Sequence, residues 1–132
     1  MAGEDSDYLP HNYDKNCVVY TGTHDNDTLQ GWYQTLSEED KEMTKEYLNN
    51  PYTPDEEVHW DFISLAMRSV ADTCIIPVQD YLGLGKEARI NTPSTLGGNW
   101  EWRMSAQDCT SQLAARMLEL ATVYGRIVKK KK

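Results

Sequence analysis

Four consecutive polar residues, His24, Asp25, Asn26 and Asp27, form the first group in this chain that could do chemistry. The carboxylate of Asp25 could stabilise a cationic transition state, and the imidazole of His24 could hydrogen-bond a substrate hydroxyl or transfer a proton. A structural alternative exists, because Asp25 and Asp27 could both serve as turn formers and helix caps. The spacing favours neither reading for Asp25, whereas it favours a structural role for Asp27.

A second polar stretch, residues 79–103, is rich in glycine, proline and asparagine. Its glycines do not follow the GxGxxG spacing of a phosphate-binding loop. Trp100 and Trp102 lie two positions apart, so on an extended segment they would share a face. There they could stack on sugar rings or, as we favour, pack the loop onto its domain. Arg89 and Arg103 could pair with carboxylates or hold the loop.

Other catalytic signatures are missing from the sequence. It contains no GxSxG, HExxH or CxxC motif, so serine and zinc chemistry have no support, and we expect no cofactor. A metal site formed by His11, His24 and Asp25 is conceivable but weak, because the two histidines are thirteen positions apart. The three cysteines are widely spaced and odd in number, which indicates reduced thiols.

Two short apolar runs, residues 17–21 and 74–78, are typical of strands that are buried on both faces. Their residues are apolar at successive positions instead of alternating positions. Helical spacing or cap signals predict four helices. The first three are residues 28–36 with Asp27 as N-cap, residues 37–49 opened by Ser37, and residues 58–71. The last runs from Ser105 to Gly125, with an apolar stripe of Leu113, Met117, Leu120, Ala121 and Tyr124.

The order of these elements predicts a βαβ unit with a parallel sheet. Two strands leave open edges and an apolar face without a partner, so we expect part of a larger α/β fold. In such folds the loops that leave the carboxyl ends of the strands carry the active site. Both polar stretches come directly after a predicted strand, which is the strongest indication of a site from the residues alone.

Composition and charge exclude several partners. The net charge is −8, and the clustered cations are the lysines of residues 129–132, so we expect no nucleic-acid partner. No apolar run approaches the roughly 18 to 20 residues of a membrane span. No secretory signal is visible either. We therefore expect a soluble, cytoplasmic protein without a membrane partner.

Five motifs, taken together, are distinctive: YLPHNY from Tyr8, VYTGTHDNDT from Val19, DYLGLG from Asp80, ARINTP from Ala88 and GNWEWR from Gly98. Their types, order and spacing resemble the 4-α-glucanotransferases (amylomaltases or disproportionating enzymes, glycoside hydrolase family 77). The first two are similar to the segment around the family's seventh strand, and the other three to the segment after its eighth strand. The resemblance extends from about Tyr8 to Arg103.

The resemblance implies a (β/α)₈ TIM barrel, of which this chain would supply about strands seven and eight with their helices. Residues 1–128 would be the C-terminal segment of that catalytic barrel, and residues 129–132 a lysine tail. The family transfers α-1,4-glucan segments by a retaining double displacement. By resemblance, Asp25 is its third acid, which stabilises the transition state. His24 would hydrogen-bond the same sugar, and Asn91 would be a further substrate contact.

The family's nucleophilic aspartate and acid/base glutamate lie upstream of these motifs, and neither position exists in this chain. We therefore expect the isolated chain to be inactive and marginally stable, with the missing N-terminal part of the barrel as a candidate partner. Two alternatives stay open. One is a non-catalytic α-glucan-binding or interaction module, and the other is a metal-dependent hydrolase built around His24 and Asp25.

Overall fold

The computed structural model describes residues 4–128, so the predicted lysine tail at residues 129–132 lies outside the described part. Within it, a two-stranded sheet is accompanied by α-helices and short 3₁₀ turns. The strands and α-helices, in chain order, are β1 (Val18–Tyr20), α1 (Leu29–Gln34), α2 (Glu38–Tyr47), α3 (Val58–Arg68), β2 (Thr73–Ile75), α4 (Val78–Tyr81) and α5 (Ser111–Val123). The 3₁₀ turns are Pro10–Asn12, Asp55–Glu57, Lys86–Ala88 and Ala106–Asp108.

The two strands pair in parallel, as the order of elements predicted. Val19 lies opposite Cys74, and the helices α1 to α3 form the connection between the strands. The second strand is shorter than predicted, because Val78 belongs to α4 and not to β2. Pro77 explains the difference, since it has no N–H to donate to a ladder and serves instead as the N-cap of α4.

The sheet has one packed face and one open apolar face, as expected for two strands without the rest of a larger fold. Val19 is buried and Cys74 half-buried, and both pack against the helical side of the sheet. Val18, Tyr20 and Ile75 point the other way and are each about half exposed. One layer of helices covers one face of this sheet, so the successive apolar residues divide between a packed face and an open one.

The α1 cap differs by one residue from the prediction. Thr28, not Asp27, is the N-cap, because its Oγ1 accepts a hydrogen bond from the Gly31 N–H at 3.0 Å. The Asp27 Oδ1 accepts instead from the Thr28 N–H at 2.8 Å, so Asp27 does have a structural role beside the helix start. At α2, the predicted cap is confirmed, since Ser37 accepts from the Asp40 N–H.

The last helix begins later than predicted. Ser105 and Asp108 do form a capping box, but the box closes the 3₁₀ turn Ala106–Asp108. The α5 helix starts at Ser111 with Thr110 as its N-cap. Its predicted stripe is confirmed, because the half-buried residues of this segment include every member of the stripe: Leu113, Met117, Leu120, Ala121 and Tyr124. The helix ends before Gly125, whose φ of 70° suits glycine at a helix end.

The core lies around α3. Val58 and Ile63 are fully buried, and Tyr33 of α1 is nearly so. Removing Ile63 from water alone stabilises the fold by about 1.5–3 kcal/mol. At the end of α3, the guanidinium of Arg126 donates to the carbonyls of Met67, Ser69 and Ala71, which joins the chain after α5 to the turn before β2. Among the described residues, no helix has the length and apolarity needed to cross a membrane.

Candidate functional site

The loops after β1 and after α4 meet beside the ends of the two strands. A buried carboxylate, Asp80, joins them at their base. Its Oδ2 accepts from the Thr21 hydroxyl at the end of β1, and its Oδ1 accepts from the Leu29 N–H at the start of α1 at 2.9 Å. Asp80 is only 3% exposed, and this burial raises the pKa of its carboxyl group. It therefore fixes both ends of the segment that carries His24 and Asp25.

From the sequence, Asp80 was named only as the first residue of the DYLGLG motif. A weak signal was available, because Asp80 lies two positions after an apolar run, and an aspartate is rarely buried without partners. Its two partners, however, lie 51 and 59 positions away in the chain. Contacts at such a separation depend on the fold and cannot be read from local spacing.

Within the first loop, Asn26 shapes the turn in front of Asp25. Its Oδ1 accepts from both the N–H and the hydroxyl of Thr23, at 2.8 and 2.9 Å. The Asp25 N–H donates in turn to the Thr23 Oγ1 at 3.3 Å. Side chains of this type bond to nearby backbone and favour tight turns. The Asp25 side chain reaches the second loop, where Asn91 contacts it.

The carboxylate of Asp25 contacts both other residues that the sequence analysis named. The Asn91 amide Nδ2 donates to Asp25 Oδ1 at 2.7 Å. The His24 Nε2 lies 3.3 Å from Asp25 Oδ2. The His24 and Asp25 side chains are 54% and 50% exposed, so the group stays open to solvent. The structure therefore brings the three predicted residues together in one accessible cluster.

Arg89 fixes the backbone of this cluster. Its Nη2 donates to the Asp25 carbonyl at 2.7 Å, and its Nε donates to the Asn91 carbonyl at 2.9 Å. The Asn91 N–H donates to the His24 carbonyl at 3.1 Å. Of the two roles that the sequence left open for Arg89, the structure shows the second, since it holds the loop and pairs with no carboxylate in these contacts.

Trp100 does not follow the favoured prediction that it packs the loop onto its domain. Its backbone has a φ of 61°, so the segment is not extended there. The residue is 63% exposed, and its ring lies on the His24 ring with centroids 5.1 Å apart and planes 33° apart. Trp102, in contrast, is half-buried. The two tryptophans therefore have different surroundings despite their spacing.

Two cavities border this region. The smaller one, of 80 Å³, lies between the two loops, and residues from both line it, among them His24, Asp80 and Arg89. The larger one, of 720 Å³, is an open cleft between β1 and the helices α1 to α3, with mainly apolar walls that include Tyr20, Trp32 and Phe62. Neither cavity includes Asp25 in its lining, so the exposed polar cluster itself, and not a cavity, is the candidate for chemistry.

The alternative of a metal site gains no support from the described residues. They contain no group of three histidine, cysteine or acidic residues that could hold a metal ion. His11 bonds elsewhere, with its Nδ1 2.8 Å from the Tyr47 hydroxyl and its Nε2 2.9 Å from the Glu4 carbonyl. All three cysteines are free thiols.

Comparison with known proteins identifies the family. The family model of the 4-alpha-glucanotransferases, glycoside hydrolase family 77, matches residues 1–110. A 4-alpha-glucanotransferase of Clostridium butyricum is 51% identical over 128 residues, which cover 96% of this chain. One of Thermus thermophilus is 42% identical over 95% of the chain. The chain therefore belongs to the 4-alpha-glucanotransferase family, as its motifs predicted.

A solved structure agrees with this assignment. An amylomaltase from Streptococcus agalactiae in complex with acarbose superposes with a TM-score of 0.85 at 35% identity, and the match covers 92% of this chain. The chain spans only about a quarter of the length of these proteins: 26% of the two 4-alpha-glucanotransferases and 24% of the amylomaltase. Membership of the family is established by these matches, and a partial α/β fold agrees with them.

Proposed function

We propose that this chain supplies one part of a 4-α-glucanotransferase site, in which Asp25 stabilises the positive charge that develops on the reacting sugar. The contact between Asn91 and Asp25 carries this proposal. A carboxylate oriented in advance by a 2.7 Å hydrogen bond needs little rearrangement when charge appears. His24 and Asn91 would contact the same sugar of an α-1,4-glucan, since both lie beside that carboxylate.

The geometry fits electrostatic stabilisation better than nucleophilic attack by this chain. Asp25 is half exposed, so a bound sugar would displace water from its oxygens and strengthen their interaction with a nearby cation. Retaining transfer also needs a nucleophile and a general acid/base roughly 5–5.5 Å apart. We assign neither role within this chain, and we therefore propose that the isolated chain does not catalyse glucan transfer.

We further propose that residues 1–128 form strands seven and eight of a (β/α)₈ barrel with their helices. The open face of the sheet at Val18, Tyr20 and Ile75 supports this proposal, because apolar residues there would be covered by the remainder of such a barrel. The rest of the barrel is then the expected protein partner, an α-1,4-glucan the expected substrate, and the cytoplasm the expected compartment.

A chimera tests the role of Asp25. The 128 matching residues of the Clostridium butyricum relative would be replaced by this chain, and disproportionation of maltotriose would be measured. Asp25→Asn should lower kcat by about 10²–10³-fold, the usual effect of removing one group that stabilises developing charge. The matched control is Asp27→Asn, which keeps an oxygen for the Thr28 N–H and should change kcat little. Equal losses in the two variants would contradict the assignment.

Assays of the isolated chain distinguish glucan transfer from glucan binding. We expect no detectable disproportionation of maltotriose by the 132-residue chain. Turnover by this chain alone, abolished by Asp25→Asn, would refute the proposed division of the site. Glucan binding by a chain that folds alone, with an Asp25→Asn chimera that retains activity, would favour the alternative of a non-catalytic glucan-binding module.

A further inference from the structure

The loop of residues 92–100 is closed by its own hydrogen bonds. The Thr92 N–H donates to Asn99 Oδ1 at 2.8 Å, and the Asn99 Nδ2 donates to Thr95 Oγ1 at 3.0 Å. At the end of the loop, the Trp100 N–H donates to the Ile90 carbonyl at 2.7 Å. These bonds fix the point at which the chain leaves the loop, and they therefore fix the position of the Trp100 backbone.

Hydrophobic burial does not explain the position of Trp100. The residue is 63% exposed, and its φ of 61° lies in a region that costs an L-residue with a side chain roughly 1–2 kcal/mol. An unfavourable backbone conformation persists where surrounding contacts require it. Within the described residues, the aromatic ring that Trp100 contacts is that of His24, at a centroid distance of 5.1 Å.

We infer that Trp100 is a positioning residue, which holds the His24 imidazole in the orientation that a glucan requires. This inference rests on the proposed function, in which His24 contacts the sugar. Asn91 fixes the His24 carbonyl from one side, and the indole of Trp100 restricts the ring from the other. A ring that is already oriented loses less conformational entropy when the ligand binds, so Trp100 strengthens binding without touching the sugar itself.

Nuclear magnetic resonance of the 132-residue chain tests the contact directly. In the wild-type chain, the ring current of the indole should shift the His24 ring protons away from their random-coil positions. Trp100→Ala should remove this shift, and Trp100→Phe should keep part of it. The control is Trp32→Ala, because Trp32 packs edge-on against Phe62 and not on His24. Random-coil positions in the wild-type chain, or no change in Trp100→Ala, would overturn the inference.

Titration with maltotriose tests the consequence for binding. Trp100→Ala should bind about fivefold more weakly, the factor that corresponds to one aromatic contact, and Trp100→Phe should recover most of the affinity. Trp32→Ala should bind as the wild-type chain does. Equal affinity in the wild-type chain and Trp100→Ala, with the ring-current shift lost, would show that the contact has no positioning role.

Two further outcomes are distinguishable. If the wild-type chain shows the ring-current shift but does not bind maltotriose, KM for maltotriose is compared in the chimera, where an equal KM with Trp100 and with Trp100→Ala would overturn the inference. If Trp100→Ala does not fold, Asn99→Ala replaces it, because that variant opens the loop at Thr92 and Thr95 but keeps the indole. Asn99→Ala should lose the His24 shift and bind maltotriose more weakly, and loss of the shift with unchanged binding would overturn the inference.

Discussion

Gly83 provides the sharpest test of how this fold is packed. Its φ is 66°, and an added Cβ would lie 2.6 Å from Cε1 of the buried His59 ring. Carbon atoms in contact are normally about 3.5–4.0 Å apart, so a methyl group does not fit unless the ring moves. The ring is held in place, because the Gln30 Nε2 lies 2.9 Å from its Nδ1.

The expected cost of Gly83→Ala has two parts. A side chain at positive φ costs roughly 1–2 kcal/mol. Overpacking against a fixed group adds about 1–3 kcal/mol. Gly125→Ala separates these parts, because Gly125 has a φ of 70° but no atom within 4 Å of an added Cβ. The difference in the free energy of unfolding between the two variants should therefore be about 1–3 kcal/mol, with Gly83→Ala the less stable.

Urea unfolding followed by circular dichroism measures this difference. The midpoint should be lowered in both variants and lowered further in Gly83→Ala, with similar m-values if the same surface is exposed. Gly97→Ala serves as a second control, because its φ is 81° and its Cβ also meets nothing within 4 Å. Equal destabilisation of all three variants would refute the close packing of Gly83 against His59 of α3.

Three further predictions concern buried titratable groups. Asp80→Ala should lower the free energy of unfolding by about 2 kcal/mol, because the Leu29 N–H loses its acceptor. Asp80→Asn keeps an acceptor oxygen and should therefore be less destabilising in urea unfolding. Equal destabilisation by the two variants would contradict the role of this hydrogen bond. Burial raises the pKa of the Asp80 carboxyl from its usual 3.8. The contribution of this group to stability is therefore complete below pH 3.8 and is lost as the pH rises through the folded-state pKa. Asp80→Asn should abolish this pH dependence. Burial lowers the pKa of His59 from 6.5, so its contribution is present above pH 6.5 and is lost as the pH falls through the folded-state pKa. Thermal melts on the acid side of pH 6.5 should show this loss in the wild-type chain but not in His59→Gln, and parallel curves would refute it.

Local patterns predicted the elements whose causes are local. The α5 stripe depends on a helical period, and the Ser37 cap depends on a hydrogen bond to a residue three positions away. The parallel pairing of the strands was also predictable, because a helical connection between two strands of one sheet permits it. The same argument predicted that the two polar loops lie close together, and they do meet, although α4 lies between β2 and the second loop.

Features that depend on tertiary contacts were missed or were predicted at the wrong residue. The choice between Asp27 and Thr28 as cap depends on which side chain can turn back over α1, and both types cap well. The two tryptophans were treated alike because of their spacing, but the positive φ of Trp100 removes the extended geometry on which that reasoning relied. The open face of the sheet was expected, but which face the helices cover could not be predicted, since a pattern that is apolar on both faces does not say which covering layers are present.

The interactions that stabilise this chain explain how it can orient Asp25 without supplying the other catalytic groups. The buried apolar clusters lie around α3 and under β1, whereas the cluster of His24, Asp25 and Asn91 is exposed and held by hydrogen bonds. Each such bond contributes only about 1 kcal/mol net, so the order of the loops depends on several bonds acting together. Asp80 anchors them at a buried base, and from there the order extends to the surface. A chain built in this way can hold one acid in a defined orientation by its own contacts, while the bond-making groups come from elsewhere in the barrel that we propose.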